Sequence, residues 1–221
     1  MDPAGPSARH SSPQLASRLV WGGLVAVLLV VVGAGILSVA RKSAPAALPV
    51  LGSLPDFRLQ ERNGGTVGLD DLQGSVWIAD FIFTRCSGTC PLLSAQMARL
   101  HEKLGIGTEP GLRLVSFTVD PAHDDVAVLR KYADEHHASA QGWLFLTGER
   151  PALYDLIKDG FRLSVAEREG ADADPNEMIT HSDRFVLVDR EGRIRGYYHG
   201  TDEEGVARLR EDVARLRREQ P

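Results

Sequence analysis

Cysteine is nearly absent from this chain: of 221 residues, only Cys86 and Cys90 carry thiols. Two cysteines cannot build a disulfide framework. With no second pair, a four-ligand zinc site would have to draw two further donors from elsewhere. Also missing is any basic stretch interleaved with aromatics, and the formal net charge is -5; nucleic acid is therefore not expected as a partner. There is no internal repeat and no low-complexity tract. What the chain does have is 43% hydrophobic content, enough for one ordinary globular domain with extensions.

Charge is also lacking from Val20 to Ala40, VWGGLVAVLLVVVGAGILSVA, a run of 21 residues. As a helix rising 1.5 Å per residue it measures about 32 Å, enough to span a hydrocarbon core of about 30 Å. Residues 20–40 are therefore expected to form a transmembrane anchor behind an N-terminal tail, 1–19. Ser38-Val39-Ala40 has the small-x-small form of a cleavage site, but the apolar run exceeds the roughly 7–15 residues of a signal peptide's core. Arg9 and Arg18 before the span balance Arg41 and Lys42 after it, so the charge rule sets no orientation. Residues 41–53, RKSAPAALPVLGS, read as a tether, and 54–221 as one compact domain.

Within that domain, Asn63-Gly64-Gly65 is a hairpin turn signal between short strands near Phe57–Leu59 and Thr66–Gly68. Val76–Phe83, VWIADFIF, is almost continuously apolar, which suits a strand buried on both faces. Pro91–Leu104 sets Leu93, Met97, Leu100 and Leu104 at intervals of four, three and four, the stripe of a helix packed on a sheet, and Gly105 stops it. Leu112–Val119 is a second core strand, Asp124-Asp125 open a helix carrying Val126, Leu129 and Tyr132, and Trp143–Leu146 is a third strand. A helix near Pro151–Lys158, a short strand near Phe161–Val165 and a polar loop over 166–177 follow. Phe185–Val188 and Ile194–Tyr198 form a hairpin, and Glu203–Arg218 closes with Val206, Leu209, Val213 and Leu216 on one helical face. The order predicts an α/β fold, a central β-sheet flanked by helices.

The two cysteines sit in TRCSGTCP, directly after the first core strand. Proline is favoured at the first helical position, so Pro91 makes Cys90 the expected N-cap and leaves Cys86 in the loop. A helix N-terminus favours thiolate and should lower a cysteine pKa from about 8.5 toward neutrality, with Arg85 adding to the effect. Ser87-Gly88-Thr89 is small and flexible enough for the sulfurs to meet as a disulfide or splay around a metal. A disulfide closing so short a loop stabilises weakly, so a redox dithiol or a soft-metal clamp is favoured over a structural disulfide or a zinc site. The loop at the C-terminal end of a strand is also where open α/β sheets place their sites.

Trp77–Pro91, WIADFIFTRCSGTCP, resembles the Sco/SenC family, membrane-anchored thioredoxin-fold proteins that help deliver copper to cytochrome c oxidase. Val119-Asp120-Pro121 with Asp124 is similar to the family's VDPxxD turn, Thr180-His181-Ser182 to its histidine motif, and Leu187-Val188-Asp189 with Gly192 to the strand and turn that follow. The resemblance covers about 54–217, with the motifs in the same order. It implies a thioredoxin-like fold, Cys86 and Cys90 as redox pair and metal ligands, His181 as third ligand, and copper, Cu(I) or Cu(II), as the metal. It also implies cytochrome c oxidase subunit II as partner, and Asp120 as a residue that tunes the site from beside the metal. Two thiolates and an imidazole are a soft, low-coordinate set suited to Cu(I), and to Cu(II) if another ligand joins.

Asp80 lies in an apolar strand six residues before Cys86, at the spacing of the buried aspartate of thioredoxins. Burial would raise its pKa and make it a proton acceptor for a thiol, unless it pairs with a basic group. His199, after the last strand, is the reserve ligand; His10, His101, His123, His136 and His137 read as solvated, and Met178 as packing. The acidic run 167–177 reads as a solvated loop whose mobility would let His181 move on and off the metal.

The alternative is a membrane-tethered thiol-disulfide oxidoreductase acting on an oxidase subunit or another exported protein. CxxxC spacing and the lack of a proline before Arg184 disfavour a general thioredoxin, and the lack of Pro-x-x-x-Thr-x-x-Cys disfavours a peroxidase. A copper or redox sensor is a third class. Function sets the expected orientation: N-terminus cytoplasmic, with the domain on the exported side of the cell membrane.

Overall fold

The computed structural model describes residues 13–42, 47–108, 110–167 and 179–219. It divides into two units, Met1–Ala47 and Leu48–Pro221. In the first, α1 (Pro13–Lys42) is one continuous helix, and Trp21, Leu24, Val25 and 27–32 are exposed along it. Among the described residues no helix is long and apolar enough to cross a membrane. The side chains described in α1 are those of Arg18 and 21–35, only part of the apolar run 20–40.

The second unit runs through β1 (Gly52–Ser53), β2 (Arg58–Glu61), β3 (Thr66–Gly68), a single helical turn α2 (Leu69–Leu72), β4 (Val76–Ile82) and α3 (Cys90–Lys103). It continues through β5 (Leu112–Thr118), α4 (Val126–Glu135), β6 (Trp143–Thr147) and α5 (Arg150–Asp155), which passes into a π-helical turn, Leu156–Gly160. It ends with β7 (Val165–Glu167), β8 (Ile179–His181), β9 (Arg184–Val188), β10 (Arg193–His199) and α6 (Glu203–Arg218). The main sheet has the order β1-β10-β9-β4-β5-β6-β2-β3, and β7 and β8 pair separately.

β4, β5 and β6 are parallel neighbours joined by α3 and α4, the expected β-α-β-α-β core. β9 and β10 extend it antiparallel on one side, β2 and β3 on the other. All seven residues of β4 are buried, as a strand flanked on both edges and covered on both faces requires. Leu93, Met97 and Leu100 of α3 are fully enclosed, Leu104 only partly. α6 packs on β10 and β4 through Leu209, Val213 and Leu216.

Two local expectations change. Phe161 does not begin a strand: its ring fills a cluster with Phe81, Phe117 and Trp77, at centroid distances of 5.0, 5.3 and 6.1 Å, so the chain stays coiled until Val165. The folded unit also takes in Leu48–Ser53, which composition assigns to the tether. β1 pairs with β10, and Arg195 donates to the carbonyls of Leu48 (2.7 Å) and Pro49 (3.2 Å) while pairing with Asp189 at 2.8 Å.

Candidate metal and redox centre

Because β4 and β5 are parallel, the loops that leave them emerge at the same end of the sheet. The fully buried Asp124, in the turn after β5, joins the two loops. It accepts from Thr84 N at 3.1 Å, Thr84 Oγ1 at 2.5 Å and Thr118 Oγ1 at 2.6 Å. Burial pushes its carboxyl up, and the hydrogen bonds from Thr118 and Thr84 hold it partly back. One residue on, Arg85 Nη2 meets Asp120 Oδ2 at 2.6 Å. Both residues before Cys86 are thus tied to the VDPxxD turn. The cation expected to favour a thiolate is engaged by Asp120, which is 5% exposed at its side chain.

The N-cap is Thr89, not Cys90: the N–H groups of Leu92 and Leu93 both bond the Thr89 carbonyl at 3.1 Å, so Cys90 is already helical. The shift of one residue carries Cys90 inward. Cys90 is fully buried and Cys86 half-buried, and they are not disulfide-linked. The Cys86 side chain hydrogen bonds the Cys90 thiol. Burial drives the Cys90 thiol far above its usual range; a backbone hydrogen bond at Phe83 opposes this only in part, and Cys86 and the charge of Asp80 reinforce it. The expected lowering by the helix N-terminus is therefore overturned at Cys90, because desolvation outweighs the dipole.

Asp80 is fully buried, and its charge acts on both Cys90 and Tyr132. The Tyr132 hydroxyl lies 2.7 Å from Ser94 Oγ, and charge at Cys90, Asp80 and Cys86 acts on it. Burial keeps Tyr132 well above the ordinary tyrosine range.

His181 is the last residue of β8, its backbone opposite Val165 of β7, in a short strand where a loop was expected. Its side chain and Met178 lie outside the described residues, as does 168–178. β9 runs antiparallel to β4, with Val186 opposite Ala79, so the chain enters β9 at the end of the sheet where β4 leaves for the cysteine loop. Among the described residues no cluster of three or more His, Cys, Asp or Glu is set to hold a metal ion.

Other histidines differ from expectation. His101 and His136 are half-buried, their rings tilted against those of Trp143 (6.1 Å) and Tyr132 (4.5 Å), and burial lowers both pKa values. His199 Nδ1 lies 2.9 Å from Asp183 Oδ2, an acceptor shared with Thr201 Oγ1 at 3.1 Å. Burial acts to raise the Asp183 carboxyl, but the hydrogen bonds from His199 and Thr201 prevail and hold it below the ordinary value. Asp183 escapes sequence reasoning because its partner is sixteen residues away, brought close only by the register that sets His199 opposite Arg184.

A mixed sheet with a parallel core, flanking helices and a pair of cysteines between the central strand and its crossover helix defines a thioredoxin-like domain. The SCO1/SenC family profile matches residues 51–217, and the chain belongs to that family. The SCO1 protein homolog of Bacillus subtilis (strain 168) is 35% identical over 147 residues, 66% of this chain and 73% of its own length. The structure of BsSco, described as a member of the Sco family of cytochrome c oxidase assembly proteins with a disulfide switch, matches with a TM-score of 0.67 and 30% identity over 79% of this chain and 99% of its own. Copper-bound ScoI of Bradyrhizobium japonicum, at 21% identity and a TM-score of 0.61 over 74% of this chain and 99% of its own, shares the fold.

Proposed function

We propose that this chain is a copper-binding assembly factor that delivers copper to, or prepares, the CuA site of cytochrome c oxidase subunit II. The observation that carries the reading is the pair of thiols at the head of α3, hydrogen-bonded to each other and not disulfide-linked. Cys86, Cys90 and His181 would hold the copper, a donor set that suits Cu(I). The residues present fit a soft cation: a bare thiolate is strongly disfavoured where Cys90 lies, and a bound metal ion would offset that charge. Binding releases the thiol protons, and Asp80 would accept the one from Cys90. Asp120, through Arg85, would hold the loop in place. Family membership and the description of BsSco as an oxidase assembly protein support the reading.

A second reading, thiol-disulfide oxidoreductase, is favoured by the contrast between a half-buried Cys86 and a buried Cys90, which suits an attacking and a resolving thiol. The disulfide switch named for BsSco supports it. In both readings residues 20–40 anchor the chain in the cell membrane and the domain lies on the exported side.

The test is anaerobic Cu(I) titration of the reduced full-length chain in detergent, beside Cys86→Ser, Cys90→Ser and His181→Ala. The parent should bind a single equivalent, lost in either cysteine variant and weakened about tenfold or more without His181. Unchanged binding by His181→Ala removes it from the ligand set. Turnover of a generic disulfide without copper affinity selects the reductase.

A further inference from the structure

α3 and α6 bound a groove of about 300 Å³ whose charged residues are Arg99 and Lys103 of α3 and Glu203 and Arg210 of α6, with Leu100 and Val206 in its apolar lining. Three cations and one carboxylate give it a charge of +2, in a chain whose formal net charge is -5. Among the described residues none of the three cations forms an ion pair. Lys103 lies in the last turn of α3 and Glu203 in the first turn of α6, where the helix dipole favours a charge of that sign. Arg99 and Arg210 are mid-helix, and no helix end accounts for them. One turn either way Arg210 has Val206 and Ala214, and Arg99 has Ala95 and Lys103, the last a like-charge spacing that destabilises a helix.

The groove leads to the cysteine loop. Leu92, Gln96, Arg99 and Lys103 recur at intervals of four, three and four, one residue behind the inward stripe Leu93, Met97, Leu100 and Leu104, so they share one flank of α3. Leu92 follows Cys90 by two residues and is 45% exposed; among the described large hydrophobics of the second unit only Val50, Leu51 and Leu92 are exposed. From Leu92 to Lys103 the flank is about 16 Å long at 1.5 Å per residue, the reach of about five extended residues. A groove admits side chains, which a planar lipid surface does not present, and the loop at its head carries the half-buried Cys86.

We propose that this flank docks an acidic segment, carrying an apolar residue for Leu92, of the protein that exchanges copper or a disulfide with Cys86. The docking rests on the reading above in which the cysteine pair serves another protein, by either route. The groove cations speed and orient the encounter, and the contact at Leu92 holds it.

The test uses the reduced full-length chain in phosphatidylcholine nanodiscs and two cysteine peptides activated as mixed disulfides with thionitrobenzoate, one bearing leucine and glutamates, the other leucine and glutamines. Attack by the Cys86 thiolate breaks the activated S–S bond, forms one to the peptide and releases the coloured thiolate, so initial rates report docking without copper. The parent should favour the glutamate peptide about tenfold at low ionic strength and lose that preference near about 0.5 M salt. Arg99→Gln combined with Arg210→Gln should cut the preference to about twofold or less, while Lys131→Gln, which removes an exposed cation of α4, should leave it at the parental value. Leu92→Ala should slow both peptides alike. A parental preference in the double variant overturns the inference, as does a preference lost when phosphatidylglycerol is added to the discs, which would assign the groove to the lipid surface. If neither peptide reacts and the chain binds no copper, the reading of the cysteine pair falls and the docking with it; if both peptides react at one rate, only the docking falls.

Discussion

At Asp124 one carboxylate joins two loops, accepting from Thr84 on the cysteine side and Thr118 on the β5 side. Asp124→Asn keeps one acceptor oxygen and turns a donor toward donors, so denaturant melts should show a loss of about 1–3 kcal/mol. The pH dependence has a definite sign. Burial, the largest influence, raises this carboxyl, with Thr118 and Thr84 pulling it partly back. The stability linked to a raised carboxyl is fully present below the unfolded pKa and is lost as pH rises through the folded one. The parent's margin over Asp124→Asn should therefore be wider near pH 4, about the unfolded carboxylate value, than near pH 7. An equal margin at both would mean that Asp124 does not titrate in this window. Asp120 and Asp124 could be named from their motif, but the bonds to Arg85 and Thr84 could not, because those cross between parallel strands distant in sequence.

Among the elements, β1 is short, yet Arg195 and the pairing with β10 make it the start of the folded unit. A chain beginning at Leu48 should be more stable in urea than one beginning at Leu54 by about 2 kcal/mol, since the shorter chain leaves Arg195 without two carbonyl acceptors and ends the β1 ladder. Equal midpoints would show that water serves Arg195 as well. The same contrast explains what could be read from sequence. β4, α3 and α6 announce themselves through an unbroken apolar run or a helical stripe that each carries within itself. β1, β7 and β8 are two or three residues long and exist only through their partners, so no local pattern marks them. The π-helical turn before Phe161 is likewise decided by where an aromatic ring packs.

For the whole molecule, the core order and the cysteine loop were legible because parallel strands with helical crossovers have a distinctive rhythm. The side chain expected to complete the site, His181, belongs to a segment whose place depends on long-range pairing. The orientation proposed for the anchor 20–40 is set by neither charge nor fold, and the proposed function alone requires the domain outside. An alkaline phosphatase moiety fused after Pro221, active only after export, should be active; activity of a reporter confined to the cytoplasm would reverse the topology. The dithiol also has a consequence for any encounter. With Cys90 sealed and Cys86 half open, an approaching oxidant, chelator or partner thiolate meets one sulfur, not two. From outside the pair behaves as a monothiol, and its second sulfur enters only after the first is engaged, so burial gives the exchange a fixed sequence of events.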